Sequence, residues 1–154
     1  MAGTTTLAFC GLVLAYTPTA QAAIPDAPPC IGASCVGKSP YIRNADGQSC
    51  VTGGYNGEGA ATSLQTVDAP GDGSSNQVTL RWSAFCQANW AKWSGPSDDA
   101  GYADYFSETA DGHIEYPEGS GYTYMVNGVQ PAEACVLAYT FSWSDGVYAC
   151  TNWF

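Results

Sequence analysis

Short runs of alternating apolar and polar residues recur along the chain, and they predict strands. The clearest run is residues 77–83, with apolar side chains at Val78, Leu80 and Trp82. Side chains on a strand alternate between its two faces, so these three share one face. Thr79 and Arg81 are then expected to face water.

The segments around this strand are less decisive. A moderate strand is predicted for residues 61–67 and a loop for residues 68–76, which are rich in Asp, Gly and Ser. Residues 86–93 fit a short helix or a strand equally well. Trp90 and Trp93 differ in parity, so on a strand one of them would point outward.

Two dipeptides predict hairpins in the second half of the chain. Asn127-Gly128 follows a strand pattern over residues 122–126, and Asn-Gly supplies the positive φ values of a type I′ turn. Asp145-Gly146 is a second turn of this kind. A two-residue turn there places opposite each other Trp143 and Tyr148, Phe141 and Cys150, and Tyr139 and Asn152.

That second register has two consequences. Tyr139, Phe141 and Trp143 share a face with Cys150, and a disulfide sulfur is usually buried, so this aromatic stripe is predicted to be core. Cys135 does not lie opposite Cys150 in this register. A bond between them would then need a bend in the strand at 135, or a place in a facing sheet.

Composition supports the same fold class. Hydrophobic residues make up 45% of the 154 residues and charged residues only 12%, with 18 glycines, which favours short strands and many turns. We predict an all-β, disulfide-stapled antiparallel sandwich or open barrel in a single domain. Residues 30–60 are predicted to be irregular and fastened by cysteines.

The amino terminus has the pattern of a secretory leader. An apolar run from Leu7 to Tyr16 precedes Ala20-Gln21-Ala22, an A-x-A cleavage site, although residues 1–6 carry no Lys or Arg. The run is shorter than the roughly 20 residues of a membrane span. A lipid anchor at Cys10 is not expected, because Phe9 precedes it. We predict a signal peptide over residues 1–22, a Pro-rich extended arm over 23–29 and a β domain over 30–154.

Six cysteines follow the leader: Cys30, Cys35, Cys50, Cys86, Cys135 and Cys150. An even number in an exported chain predicts three disulfides, in one of fifteen pairings. Cys135 and Cys150 enclose a short segment and are the preferred pair, which leaves the other four to pair among themselves. Zinc is disfavoured because only Cys30 and Cys35 are closely spaced and no C-x2-C motif occurs.

The charge balance excludes some partners. Four basic residues face fourteen acidic ones, for a net charge of −10. Such a field repels phosphate backbones and anionic lipid, so neither nucleic acid nor a membrane is an expected partner.

Several motifs together carry a family resemblance. They are PCIGASCVGKSP at 29–40, LRWS at 80–83, Cys86-x-Ala88-x-Trp90-Ala91-Lys92, Tyr122-Thr123-x-Met125-Val126, Ala134-Cys135 and Cys150-Thr151. With these motifs the chain resembles the YjfA-like family, a secreted domain of unknown function (number 2690). The resemblance implies a secreted protein of a Gram-positive bacterium, and it brings no reaction and no catalytic residue.

The chain offers few candidates for chemistry. His113 lies between Asp111 and Glu115, but the G-x-S-x-G elbow of serine hydrolases is absent. Two carboxylates suffice for a glycosidase, and the stretch 98–118 has many, although no pair stands out. The same stretch offers the carboxylate oxygens that Ca²⁺ prefers, which leaves calcium binding open, but it lacks the D-x-[DN]-x-[DN]-G loop. No catalytic, metal-binding or cofactor-binding residue is assigned, and no cofactor is expected.

Two hypotheses follow. The preferred one is a secreted, non-enzymatic binding or adaptor module whose partner is another extracellular protein or a cell-wall component, as in an extracellular complex. The alternative is a small secreted hydrolase that uses paired carboxylates or His113 on glycan or peptide. The candidate binding surface consists of Pro25, Pro28, Pro29, Trp93, Asp104, Glu108, Asp111 and His113.

Overall fold

Strands make up nearly all the regular structure of the residues that the structure describes. The computed structural model describes residues 27–69, 76–95, 103–119, 121–139 and 146–154. Within these ranges there are ten strands and no α-helix: β1 (Thr62–Asp68), β2 (Gln77–Ser83), β3 (Ala88–Ser94), β4 (Ala103–Thr109), β5 (Ile114–Glu115), β6 (Pro117–Gly119), β7 (Tyr122–Thr123), β8 (Val126–Asn127), β9 (Ala132–Tyr139) and β10 (Gly146–Cys150). The all-β prediction is confirmed.

The strands form two antiparallel sheets, and neither closes into a barrel. The six-stranded sheet has the order β1-β2-β3-β7-β6, with β8 also paired to β3, and the four-stranded sheet has the order β10-β9-β4-β5. Val78 and Leu80 of the first sheet pack in one core with Ala134 and Val136 of the second. The architecture is therefore a sandwich.

The two facing sheets are also joined by specific contacts. The ring of Trp93 stacks on that of Tyr105, with 5.6 Å between centroids and 8° between planes. The hydroxyls of Ser107 and Thr123 share a hydrogen bond of 2.9 Å between the sheets. Such buried hydroxyls need partners, because an unpaired polar group in the core costs free energy.

The other face of the six-stranded sheet is covered by the amino-terminal segment. Residues 30–60 contain two short 3-10 turns, Gly32–Cys35 and Tyr55–Gly57, and are otherwise irregular, as predicted. Their cysteines form a second core with Ala88, Trp90 and Met125. Strand β3 is consequently buried on both faces over residues 88–91.

The structure of the six-stranded sheet answers whether residues 86–93 form a helix or a strand, and it corrects the prediction for Thr79. Residues 88–94 form a strand, and its alternation sends Trp90 into the second core and Trp93 toward the first. Thr79 does not face water. It is only 8% exposed, and its hydroxyl shares a 2.8 Å hydrogen bond with that of Thr66 on the neighbouring strand.

The hairpin predicted at Asn127-Gly128 is wrong. Strand β8 pairs with β3 in the six-stranded sheet, whereas β9 pairs with β4 and β10 in the other. The dipeptide therefore lies where the chain crosses between sheets. Glycine is required at 128 for space, since a Cβ there would collide with the Trp82 ring and lie 2.8 Å from the Ala88 backbone.

The register predicted around Asp145-Gly146 is also wrong. Gly146 pairs with Tyr139, so six residues separate the paired ends and a two-residue turn is excluded. In the observed register Cys150 lies directly opposite Cys135, and Tyr148 opposite Leu137. The Cys135–Cys150 bond therefore needs neither a bend in the strand at 135 nor a place in a facing sheet. Phe141 and Trp143 of the predicted aromatic stripe lie outside the described residues.

The described residues contain three disulfides: Cys30–Cys35, Cys50–Cys86 and Cys135–Cys150. The predicted Cys135–Cys150 pair, and the pairing of the other four among themselves, are confirmed. Disulfides are typical of oxidising compartments. The predicted signal peptide and the first residues of the arm lie outside the described residues. In the described ranges, no helix has the length and apolar character of a membrane span.

Candidate functional site

The outer face of the four-stranded sheet is the surface on which side chains of several kinds come together. Alternation along β9 buries Ala132, Ala134 and Val136 against the other sheet. Glu133, Cys135 and Leu137 then point to the opposite side. Phe106 and Glu108 do the same on β4, since they pair with Cys135 and Glu133.

A disulfide lies at the centre of this outer face. Cys135 and Cys150 are directly paired on β9 and β10, with 4.1 Å between their Cα atoms. Cys135 is 1% exposed, whereas Cys150 is exposed. The bridge fixes the register of the edge strand β10 relative to β9.

Three aromatic rings lie on the same outer face as the disulfide. Phe106 lies between Tyr116 and Tyr148, with centroid distances of 6.3 Å and 6.1 Å. Phe106 is partly buried, but Tyr116 is 59% exposed and Tyr148 60% exposed. Ile114, which is paired with Glu108, adds a further exposed apolar side chain. These four residues are called the outer aromatic face below.

Two carboxylates lie side by side at the margin of this face. Glu108 and Glu133 are cross-strand partners on β4 and β9. Partial burial raises the pKa of Glu133, and the negative charge of Glu108 raises it further. Like charges directly opposite each other destabilise a sheet, so this pair attracts a proton or a cation.

The turn between β4 and β5 holds the remaining polar candidates. The Thr109 hydroxyl donates to Asp111, and this hydrogen bond lowers the pKa of the Asp111 carboxyl. The exposed His113 ring bonds the Glu115 carboxylate at 2.8 Å. Among the described residues, no serine hydroxyl is hydrogen-bonded to this ring.

The structure brings only part of the sequence-predicted surface together. Glu108 borders the outer aromatic face, and Asp111 and His113 lie in the adjoining turn. Trp93 does not belong to it, because its ring is partly buried against Tyr105 between the sheets. Asp104 lies on β4, but its side chain is outside the described part of the structure.

The prolines are separate from this face. Pro28 and Pro29 are half-buried beside the amino-terminal segment, where the Asn44 side-chain amide donates to the Ala27 carbonyl at 2.7 Å. Pro25 lies outside the described residues. The end of the arm is thus attached to its own domain.

Sequence reasoning does not identify Phe106, Tyr116, Tyr148 and Glu133 as surface residues. The incorrect hairpin register places Tyr148 in a buried stripe. Glu133 lies in strand β9, away from the acidic stretch 98–118. Its alternation with Ala132 and Ala134 is the one available sign that it faces outward.

A family model described as "Protein of unknown function (DUF2690)" matches residues 33–135, about two thirds of the chain. The matched region ends at Cys135 on β9. No curated protein and no solved structure matches the chain.

Proposed function

The chain belongs to the DUF2690 family, whose description assigns no activity, and we propose that it is a secreted, non-enzymatic binding module. Its binding surface is the outer aromatic face. The observation that carries the proposal is the grouping of Phe106, Tyr116 and Tyr148 on one face, of which two rings are well exposed. Contiguous exposed apolar side chains of this kind mark interaction sites on soluble proteins.

The chemistry of the face favours a protein partner with a cationic patch. Tyrosine is enriched in the energetically dominant parts of interfaces, and aromatic rings also attract Arg and Lys side chains. The adjacent Glu108 and Glu133 repel each other, and an incoming cation relieves that repulsion. The net charge of −10 adds a long-range attraction for a basic partner.

Export from the cell is part of the same proposal. Three disulfides, an apolar leader with an A-x-A site and the resemblance to secreted Gram-positive proteins support it. The exported chain is expected to begin at Ala23. Mass measurement of the protein from culture medium tests this, and a secreted chain that retains residues 1–22 would contradict it.

Paired substitutions test the surface. The Tyr116→Ala/Tyr148→Ala variant should lose the partner recovered with the tagged wild type from culture medium, with a fall in affinity of at least about tenfold. Tyr55→Ala is the matched control, because Tyr55 is 69% exposed on the amino-terminal segment, which packs on the far sheet. Equal loss in both variants, or in neither, contradicts the proposal.

The partner could instead be a cell-wall glycan, and a separate experiment tests this. Sedimentation of the protein with purified peptidoglycan measures such binding directly. Peptidoglycan binding that depends on Tyr116 and Tyr148 would support the proposed binding surface, but it would contradict the proposal that the partner is a protein. We expect little sedimentation, because the carboxylates of peptidoglycan repel a chain with a net charge of −10.

One observation favours a hydrolase as a second candidate. Glu108 and Glu133 are a pair of carboxylates in which one has a raised pKa, the arrangement that separates an acid from a base. Hydrolysis of peptidoglycan by the wild type, lost in Glu108→Gln/Glu133→Gln, would establish this function. If the wild type leaves peptidoglycan intact, hydrolysis of that substrate is excluded as the function.

A further inference from the structure

Four cysteine sulfurs form one cluster at the centre of the second core. Cys30, Cys35, Cys50 and Cys86 are all buried, and their Sγ atoms all lie within 4.8 Å of one another. Cys30 and Cys50 belong to different disulfides, yet their sulfurs are only 4.0 Å apart. Two adjacent disulfides therefore place four sulfurs around a common point.

This spacing is close to that of a tetrahedral thiolate site. A zinc–sulfur bond of about 2.3 Å puts neighbouring sulfurs of a four-cysteine site about 3.8 Å apart. The contact between Cys30 and Cys50 already has nearly that length. Opening the two S–S bonds would separate the bonded sulfurs by less than about 2 Å each, a change that side-chain rotation supplies.

Backbone hydrogen bonds also connect the segments that carry the four cysteines. The Gly32 amide donates to the Cys86 carbonyl at 2.8 Å, and the Gly37 amide donates to the Met125 carbonyl at 3.1 Å. The Cys86 amide donates to the Ser83 hydroxyl at 3.2 Å. The first two bonds tie the amino-terminal segment to Cys86 and Met125, and the third lies within the connection between β2 and β3 that carries Cys86.

We propose that the reduced four-sulfur cluster is a binding site for one thiophilic divalent cation. Zn²⁺ is the cation whose size and tetrahedral geometry fit the site best. Disulfides and bound metal are then alternative states of the same four residues. Trp90 and Met125 pack beside the cluster and keep water from it. The site goes beyond the proposed binding function, and the two are independent.

The conversion balances in electrons and protons. A dithiol reductant gives two electrons and two protons to each disulfide and becomes a disulfide itself, so two equivalents yield four thiols. Binding of the cation displaces the thiol protons to solvent. In the reverse direction, two equivalents of a disulfide oxidant take up the four electrons and four protons and become dithiols, while both S–S bonds re-form and the cation is released.

The third disulfide lacks these properties and supplies the control. Around Cys135 and Cys150 the only further donor within the same distance, in the described part of the chain, is the Glu133 carboxylate. Cys150 is exposed as well. Three donors with one exposed sulfur make a poorer site than four buried sulfurs.

Cobalt titration of the reduced protein tests the proposal. All samples carry Cys10→Ser, so that the seventh cysteine cannot contribute, and are reduced without oxygen and freed of reductant. We expect one Co²⁺ per chain, with the absorption bands of tetrahedral thiolate coordination and displacement by Zn²⁺. Near-ultraviolet circular dichroism should show that the metal-loaded chain keeps its packed aromatic side chains.

Two variants separate this site from binding to thiols in general. Cys135→Ser/Cys150→Ser should bind Co²⁺ as the parent does, whereas Cys30→Ser/Cys35→Ser should bind at least about tenfold more weakly. The second variant keeps the long Cys50–Cys86 bridge for folding before reduction. Failure of the reduced parent to bind, equal binding by Cys30→Ser/Cys35→Ser, loss in Cys135→Ser/Cys150→Ser, or binding only to an unfolded chain each overturns the proposal.

Discussion

Glu133 shows how one side chain links the sheet to its surface. It is partly buried on strand β9 and faces Glu108, and burial is the larger cause of its raised pKa. The folded protein thus holds the Glu133 proton more tightly than the unfolded chain does. Ionisation of this carboxyl costs stability, which is present below the unfolded pKa and lost as the pH rises through the folded pKa.

Glu133→Gln removes this cost. At neutral pH we expect a gain of about 0.5 kcal/mol in unfolding free energy, kept small because solvent screens a partly exposed pair. The gain should fade as the pH falls below the ordinary range of a glutamate. Urea denaturation at neutral and acidic pH measures it.

Two further variants check the cause. Glu108→Gln should give a smaller gain, because the charge of Glu108 is the lesser contribution to the pKa of Glu133. Glu58→Gln, on an exposed residue of the amino-terminal segment, should give none. A loss of stability in Glu133→Gln at neutral pH would contradict this account.

Gly128 is required by close packing. Alanine there would place a methyl group against the Trp82 ring and the Ala88 backbone, so we expect Gly128→Ala to lower stability by about 1 to 3 kcal/mol. Gly112→Ala provides the comparison, with nothing within 4 Å but a φ of +84°. Its expected cost is about 1 kcal/mol. Thermal unfolding distinguishes the two, and an equal or larger loss in Gly112→Ala would refute the packing explanation.

At the scale of elements, strand positions are more predictable than strand pairings. Alternation locates β2 to the residue, because apolar periodicity is a local property of the sequence. The pairing of β9 with β10 depends on the length of a connection, and Asp145-Gly146 suggests a two-residue turn that the pairing of Gly146 with Tyr139 excludes. Asn127-Gly128 misleads similarly, since the chain changes sheets at that point.

The disulfides differ in the length of chain they enclose, and this predicts an order of stability effects. Sequence separations are 36 residues for Cys50–Cys86, 15 for Cys135–Cys150 and 5 for Cys30–Cys35. Loop-closure entropy gives losses of about 4, 3 and 2 kcal/mol when each pair is replaced by alanine. Urea denaturation of the three double variants measures the order, and a largest loss from Cys30–Cys35 would contradict it.

At the scale of the whole molecule, the fold has three layers. The four-stranded sheet, the six-stranded sheet and the disulfide-bonded amino-terminal segment enclose two separate cores. Fold class and disulfide bonding could be predicted from composition and cysteine count. The four-sulfur cluster could not, because Cys50 and Cys86 are distant in sequence and only the packing of the segment on β3 brings them together.

The outer aromatic face could not be predicted from the sequence, for a related reason. Phe106, Tyr116 and Tyr148 come from three separate segments, and they meet only when the β4, β9 and β10 register is known. Aromatic residues within strand patterns are most simply assigned to the core. The Cys135–Cys150 pairing, once accepted, fixes the register that turns Tyr148 outward.

Peptide mapping of the unreduced protein, purified from culture medium, tests the whole arrangement most directly. Mass spectrometry should recover three linked pairs, Cys30 with Cys35, Cys50 with Cys86, and Cys135 with Cys150, and no free thiol among them. A link between Cys135 or Cys150 and any of the other four would contradict the register of β9 and β10, and with it the outer aromatic face.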